Sequence, residues 1–161
     1  MQYEHLWADM HSNPHHHQIG QLEQWYQHAK QVMDFWPVAY YPFAIRRTPS
    51  GGELEDLIPA DQLQADWQAV LALARRAAAE GWPLFPGYEW QGNGSDGDHN
   101  VFFPATEGEM LHPMTYGELR DALKPAGAIG IPHHVAYQPG SRGKNWATHD
   151  PEFSPFAEIY S

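Results

Sequence analysis

Two amphipathic helical patterns, each set between short apolar segments, constrain the fold of this chain more than any other feature. The longer pattern spans Asp61–Glu80, where apolar residues recur every three or four positions; Pro59 precedes it, and Gly81 follows it as a C-terminal stop. The shorter pattern spans Gly20–Met33. Strands that alternate with helices are typical of α/β proteins with a mainly parallel sheet. We therefore predict an α/β fold of that kind.

Short apolar segments around these helices predict about six strands. The predicted strands are Glu4–Asp9, Phe35–Tyr40, Pro83–Glu89, His99–Phe103, Ala128–Pro132 and Phe156–Tyr160. A third helix is expected to begin at Thr115, which opens a capping-box sequence. The Gly/Asn/Asp turn at Gln91–Asp98 suggests that the third and fourth strands form a hairpin. Tyr41–Pro59 is predicted to be a long loop.

Composition limits the class of protein. The 161 residues, 42% of them hydrophobic, suffice for a single domain over residues 1–161. A net charge of −11 repels phosphate backbones, so a nucleic-acid partner is not expected. The chain has no apolar run that could span a membrane and no signal-peptide pattern at its N-terminus, so no membrane partner is expected. The absence of cysteine rules out thiol chemistry and fits a cytoplasmic location.

Imidazole and carboxylate side chains follow three of the predicted strands. Asp9 and His11 share one face, because strand side chains alternate with period two. Glu89 and His133 also lie at or just past strand ends, where the chemistry of α/β sheets gathers. Such residues suit zinc, manganese or iron, so we predict one shared site for a divalent metal. The run His15–His17 can also be read as exposed loop residues or as the remnant of a purification tag.

Several motifs resemble, in order and spacing, those of the PHP (polymerase and histidinol phosphatase) superfamily, and of an uncharacterised bacterial branch in particular. These motifs are Trp7-Ala-Asp-Met-His-Ser-Asn13, Met33-Asp-Phe35, Phe85-Pro-Gly-Tyr-Glu-Trp90, Gly97-Asp-His-Asn-Val101, Ile131-Pro-His-His134 and Phe156-Ala-Glu-Ile-Tyr-Ser161. The resemblance implies a distorted β/α barrel related to the TIM barrel. Because a closed barrel takes about 250 residues, this chain would be an N-terminal part. Alternatively, a second copy of the chain covers the open sheet edge near Phe156–Tyr160, which would give a homo-oligomer.

The resemblance also implies a set of metal ligands. Asp9 and His11 match the first motif, but its second His position holds Asn13, for which His15 or His17 can substitute across the turn at Pro14. The family's second motif, Asp-His, is absent from the corresponding place, residues 39–42. The remaining matches are Glu89 in an intact Gly-x-Glu motif, His99, His133 and, less closely, Glu158.

By this resemblance we expect a metal-dependent, phosphoesterase-like hydrolase acting on a small anionic substrate. A metal-bound water, whose pKa falls toward about 7, would be the nucleophile. His134 or His149 would protonate the leaving group, and Arg142 or Lys144 would bind the substrate anion. Two alternatives remain open: a metal-binding pseudoenzyme, and a carbohydrate- or small-ligand-binding module. The binding module would use Trp90, Tyr137 and Trp146.

Overall fold

The computed structural model describes residues 5–140 and 142–159. Its helices are α1 (Leu22–Val32), α2 (Ala60–Ala79) and α3 (Tyr116–Leu123), with short 3-10 turns at His16–Gln21, Lys124–Ala126 and Trp146–Thr148. Its strands are β1 (Trp36–Tyr40), β2 (Phe43–Arg47), β3 (Glu53–Leu57), β4 (Leu84–Trp90), β5 (His99–Phe102) and β6 (Ile129–Pro132). The predicted helices and four of the predicted strands are therefore present at nearly the expected positions.

The sheet topology contradicts the predicted fold class. The main sheet has the order β1-β4-β5-β6; β1 and β4 are parallel, whereas β5 is antiparallel to both of its neighbours. The described residues thus form an α+β structure with a mixed, mostly antiparallel sheet, and they form no closed barrel. The physical reason is the short turn 91–98, because a parallel crossover needs roughly a dozen residues or more. β5 must therefore return alongside β4 as a hairpin.

Two predicted strands, Glu4–Asp9 and Phe156–Tyr160, do not form over their described residues; Glu4 and Tyr160 lie outside these. The segments instead run beside the two edges of the main sheet with scattered hydrogen bonds. Tyr41 N donates to Pro14 O on one edge, and Glu158 N donates to Pro132 O on the other. Pro14 lies beyond the end of the first predicted strand and Pro155 lies directly before the second, and neither proline can donate to a regular ladder.

A second, two-stranded sheet lies in the segment that was predicted to be a loop. β2 and β3 pair in antiparallel fashion from Phe43↔Leu57 to Arg47↔Glu53. The turn between them is closed by a hydrogen bond from Thr48 N to Gly52 O, and Gly51 adopts a left-handed φ of 85°. Most side chains of this hairpin are exposed, so its hydrophobic pattern is weak.

The core lies on one face of the main sheet. All three helices contribute to one apolar cluster with Val38, Tyr88 and Val101 from the strands. The opposite face carries only a small cluster of Ala39, Phe102 and Ile131, and this second face presents the candidate site. None of the helices in the described residues combines the length and the apolar composition that a membrane crossing requires.

Candidate metal centre

One edge of the main sheet gathers the polar side chains. Glu89 lies near the C-terminal end of β4, and His133 directly follows β6. Asp98 directly precedes β5 and reaches the same edge, because β5 begins where the hairpin from β4 returns. His11 arrives from the irregular segment beside β1, and Glu158 arrives from the segment beside β6. Five separate stretches of chain therefore supply one cluster.

The first set of donors consists of His11, His133 and Glu158. Each of them offers one ligand atom, and these atoms all lie within 4.8 Å of one another. His11 Nδ1 is 2.6 Å from Glu158 Oε2, and the rings of His11 and His133 lie 4.4 Å apart. Burial disfavours the imidazolium of His11, but the carboxylates of Glu89 and Glu158 outweigh it and raise the pKa of His11.

Glu89 lies between the two imidazoles. Its Oε2 is 3.8 Å from His11 Nε2, and its Oε1 is 3.7 Å from His133 Nε2. Asn13 Nδ2 donates to Glu89 Oε2 at 3.2 Å, and Gln91 Nε2 donates to Oε1 at 3.2 Å. Burial alone would raise the pKa of Glu89, but the neighbouring imidazoles and Gln91 hold it well below its ordinary value. Glu89 is thus a buried carboxylate in its charged form.

These residues fit a divalent cation. His133 is fully buried, and within the described residues neither of its ring nitrogens has a hydrogen-bond partner. Buried imidazole nitrogens normally find a partner, so this ring lacks one that a metal would supply. Ligand atoms of a tetrahedral zinc lie about 3.3–3.6 Å apart. The 3.7–3.8 Å separations between Glu89 and the two imidazoles are close to that spacing and too long for hydrogen bonds.

A second set of donors shares His133 with the first. Asp98, His133 and His134 also offer ligand atoms within 4.8 Å of one another. His134 Nε2 lies 3.8 Å from Asp98 Oδ2, and the His134 ring stacks on Tyr137. Burial raises the pKa of Asp98 to about 6, although the guanidinium of Arg142 opposes this shift. The two sets therefore form one continuous cluster.

Arg142 contributes a guanidinium group to this cluster. Its Nε lies 2.7 Å from Asp98 Oδ2, one Nη lies 3.4 Å from Glu55 Oε1, and the other lies 4.0 Å from Glu89 Oε1. The predicted anion-binding residue thus lies at the site, but it is already paired with carboxylates. Lys144 lies elsewhere: it is buried, and its Nζ is 3.9 Å from the centre of the Tyr116 ring.

Asp9 and His99, both predicted to be metal ligands, belong to neither donor set. Asp9 is exposed, and its Oδ1 accepts a hydrogen bond from the backbone N–H of His11 at 2.8 Å. His99 pairs with Trp90 in the β4–β5 register, so its side chain points to the helical face of the sheet, away from Glu89. There its ring packs on Trp90 and Tyr116, and burial lowers its pKa well below the usual value.

The other predicted histidines lie outside the two donor sets. His15 packs on Tyr41 with ring centres 4.5 Å apart, and burial lowers its pKa. His17 is exposed and lies 5.3 Å from the His15 ring. His149 packs on Trp146, away from both donor sets.

Sequence reasoning missed Asp98 and Glu55 and assigned no role to Asn13. Asp98 stands beside His99, and period-two alternation puts adjacent strand residues on opposite faces, so only one of the pair can meet Glu89. The register of β4 against β5, which the sequence does not reveal, places Asp98 on the face of Glu89. Glu55 lies in the unpredicted hairpin. Asn13, where the family motif has a histidine, donates to Ala39 O at 2.9 Å as well as to Glu89.

An apolar cavity of about 460 Å³ adjoins the cluster. Glu158 forms part of its wall, so the cavity and the first donor set share a residue. The rest of the lining is apolar: Met10, Phe35, Ile131, Phe156 and Ala157. Its volume is in the range of small-molecule sites, about 300–1,000 Å³.

No protein-family model matches the chain, and no curated protein matches it significantly.

Proposed function

We propose that this protein is a metal-dependent hydrolase related to the PHP superfamily, with phosphoesters as its first substrate class. One observation carries the proposal. His11, Glu89, His133 and Glu158 meet at one edge of the sheet although they come from four distant parts of the sequence. The His133 nitrogens, which have no hydrogen-bond partner within the described residues, support a cation at this place.

The proposed ligands are His11 through Nε2, His133 and Glu89, and Glu158 is proposed to hold the His11 ring in place. A bound divalent cation would supply a hydroxide at neutral pH and would polarise the scissile ester. The hydrogen bond between His11 Nδ1 and Glu158 orients the His11 ring, so that Nε2 is the nitrogen that faces Glu89. Asn13 and Gln91 hold Glu89 from either side, which keeps its two oxygens directed at the two imidazoles.

His134 and Arg142 are proposed to act on the substrate. His134 lies next to His133 and is half-buried, so it can transfer a proton to a leaving group at the site. Arg142 can bind an anionic group of the substrate, because a guanidinium presents several donors to phosphate oxygens.

The apolar cavity suggests the chemical character of the substrate. An ester bound at the first donor set would place one substituent against Phe35, Ile131 and Phe156. Burial of apolar area stabilises such a complex by about 25 cal/mol per Å². We therefore propose a small phosphoester with one apolar substituent rather than a polar, sugar-like substrate.

The experiment combines metal analysis with a chelator-reversible assay. Purified protein is analysed for Zn, Mn and Fe, and hydrolysis of p-nitrophenyl phosphate and bis-p-nitrophenyl phosphate is followed with and without chelator. We expect bound metal and turnover that is lost on chelation and restored by the metal. Bound metal without turnover on either ester would identify a metal-binding pseudoenzyme. Absence of bound metal, with sugar-induced changes in tryptophan fluorescence, would identify a binding module.

A further inference from the structure

A polar pocket beside the start of α3 lies outside the candidate metal centre. It has a volume of about 550 Å³ and shares no residue with either donor set. This volume is within the range of small-molecule sites, about 300–1,000 Å³. Hydroxyl, amide, carboxylate and imidazole groups line it, from Ser95, Asp96, Thr115, Asn145, Thr148 and His149.

Lys144 lies beside one wall of this pocket. Its side chain is only 1% exposed, and its Nζ is 3.9 Å from the centre of the Tyr116 ring, which lines the pocket. Within the described residues, Nζ has no hydrogen-bond partner. Buried polar groups normally have a partner, because the loss of hydration is costly. Lys144 is therefore a buried donor that lacks an acceptor.

His99 lacks the opposite kind of partner. Its ring packs on the Tyr116 ring with centres 4.9 Å apart, and its Nδ1 lies 2.8 Å from Gly97 O. A carbonyl oxygen can only accept, so Nδ1 carries the proton and Nε2 of the neutral ring is an acceptor. Nε2 is buried and has no hydrogen-bond partner in the described residues. A donor without an acceptor and an acceptor without a donor thus lie around one tyrosine ring.

The charges at the pocket favour a neutral ligand. Asp96 is buried in the wall, where its Oδ1 accepts a hydrogen bond from Thr148 at 2.7 Å and its charge acts on Lys144. Arg120 also lines the pocket, but its guanidinium is paired with Asp121 at 2.8 Å. Asp96 would repel an anion, and Lys144 would repel a cation.

We propose that this pocket binds a small polyhydroxylated ligand of about monosaccharide size. A hydroxyl group both donates and accepts, so ligand hydroxyls can serve Lys144 and His99, directly or through one water. Trp146 lies at the rim, because its ring packs on His149, which lines the pocket. The Trp146 side chain is 51% exposed, so its ring can pack on the C–H face of the ligand.

The site does not depend on the proposed hydrolase, because it uses none of the proposed metal ligands. It also narrows the alternative of a binding module. Trp90, one of the aromatic residues considered for such a module, is fully buried. Tyr137, the second, stacks on His134 at the candidate metal centre. Of the three, Trp146 is the one that lies at this polar pocket.

The test is titration of the purified protein, with and without chelator, with D-glucose, D-ribose and myo-inositol. Sodium acetate and inorganic phosphate are added as competitors, and binding is measured by calorimetry and by saturation-transfer NMR. We expect saturable binding of at least one of the three polyols, with the same Kd before and after chelation. Neither acetate nor phosphate should displace it.

Two variants locate the bound polyol. Lys144→Met removes the donor at similar side-chain length and should weaken binding about tenfold. Trp146→Ala changes an exposed position, should weaken binding about fivefold, and remains informative if Lys144→Met fails to fold. The matched controls are Lys30→Met on α1 and Trp7→Ala, which alter partly exposed and exposed side chains outside the pocket and should bind as wild type does.

The outcomes separate this inference from the proposed function. Absence of saturable binding for all three polyols would overturn the inference, and so would displacement by acetate or phosphate, which would indicate an oxyanion site. Unchanged affinity in both Lys144→Met and Trp146→Ala would place the polyol elsewhere and would also overturn it. Conversely, polyol binding that both variants weaken, in a protein that hydrolyses neither ester, would support the inference and leave the proposed hydrolase wrong.

Discussion

His11 Nδ1 lies 2.6 Å from Glu158 Oε2, and 147 residues of sequence separate the two. The hydrogen bond joins the two irregular segments that run along opposite edges of the main sheet. It thereby brings the N-terminal and C-terminal parts of the described chain together over the second face of the sheet. The same contact fixes the ring of His11, which directs Nε2 toward Glu89, 3.8 Å away.

Loss of either His11 or Glu89 should lower metal content and metal-dependent stability together. In His11→Ala and Glu89→Ala we expect substoichiometric metal and a much smaller rise in Tm on metal addition than in wild type. The reason is that metal bound only to the folded form stabilises it, by about 2.7 kcal/mol at a hundredfold excess over Kd. Metal analysis and thermal melts with and without chelator measure both effects.

The control for these variants is His28→Ala, because His28 is exposed on α1 and outside both donor sets. It should keep the metal content and the metal-induced Tm shift of wild type. Unchanged metal content in His11→Ala or Glu89→Ala would remove that residue from the proposed site.

Asp9→Asn should retain bound metal. The structure uses Asp9 Oδ1 as acceptor for the backbone N–H of His11, and an asparagine Oδ1 can accept the same hydrogen bond. We therefore expect metal content within error of wild type and a change in stability below about 1 kcal/mol. Metal analysis decides the matter: a drop comparable to that of His11→Ala would make Asp9 a ligand after all.

Gly87→Ala should destabilise the fold and weaken metal binding. A Cβ at Gly87 would overlap the Phe102 ring and the carbonyl oxygen of Val101 on β5, so the β4–β5 pair must shift. Overpacking of this kind costs about 1–3 kcal/mol, and the shift would also move Glu89, two residues further along the same face. Urea unfolding and metal titration measure the two effects.

Gly117→Ala is the matched control for Gly87→Ala. Gly117 lies in α3, and a Cβ there meets no atom within 4 Å. Alanine at a helical position that has room should be neutral or stabilising by up to about 1 kcal/mol. If Gly87→Ala proved as stable as Gly117→Ala, the close approach of β4 and β5 at this point would be contradicted.

Lys144 should make the stability of the protein rise with pH in the alkaline range. Burial lowers the pKa of Lys144 from 10.5 to about 8, although the negative charge of Asp96 opposes this shift. Between these two values the unfolded chain holds a proton that the folded protein has released. The free energy of unfolding therefore increases with pH, by up to about 1.4 kcal/mol per unit. Lys144→Met should remove this contribution, as measured by urea unfolding from pH 8 to 10.5.

Lys30→Met provides the comparison for Lys144→Met. A hydrogen bond to Glu80 raises the pKa of Lys30, and desolvation opposes this shift with a smaller effect. The stabilising contribution of Lys30 is therefore lost when the pH rises above this pKa, whereas that of Lys144 is gained. Equal pH slopes in wild type and Lys144→Met would show that Lys144 carries no unfavourable charge in the folded protein.

Local patterns predicted the individual elements well. The three-four spacing in residues 61–80 predicted α2, and Thr115 accepts a hydrogen bond from Glu118 N in the predicted capping box. The β2–β3 hairpin escaped prediction because its side chains are mostly exposed, so no apolar alternation marks it. The fold class was wrong for a different reason. Strand order and direction depend on contacts between distant residues, and sequence periodicity does not report these.

The candidate site was likewise predictable from the sequence only in part. From the sequence we predicted one site containing His11, Glu89 and His133, and the structure brings these side chains together at one sheet edge. That prediction rested on strand ends: β4 and β6 are both antiparallel to β5, so their C-terminal ends share one edge, whereas the strand predicted before His11 does not form over its described residues. Their role as metal ligands stays a prediction.

The sequence by itself determined the three helices, four strands of the main sheet and the side chains that can bind a cation, because these depend on neighbouring residues and on side-chain chemistry. Only the tertiary structure decided that Asp98 rather than His99 faces Glu89, since this choice depends on the register of β4 against β5. It also decided that Arg142 pairs with Asp98, 44 residues away. Such pairings follow from long-range packing, and the order of residues along the chain does not specify them.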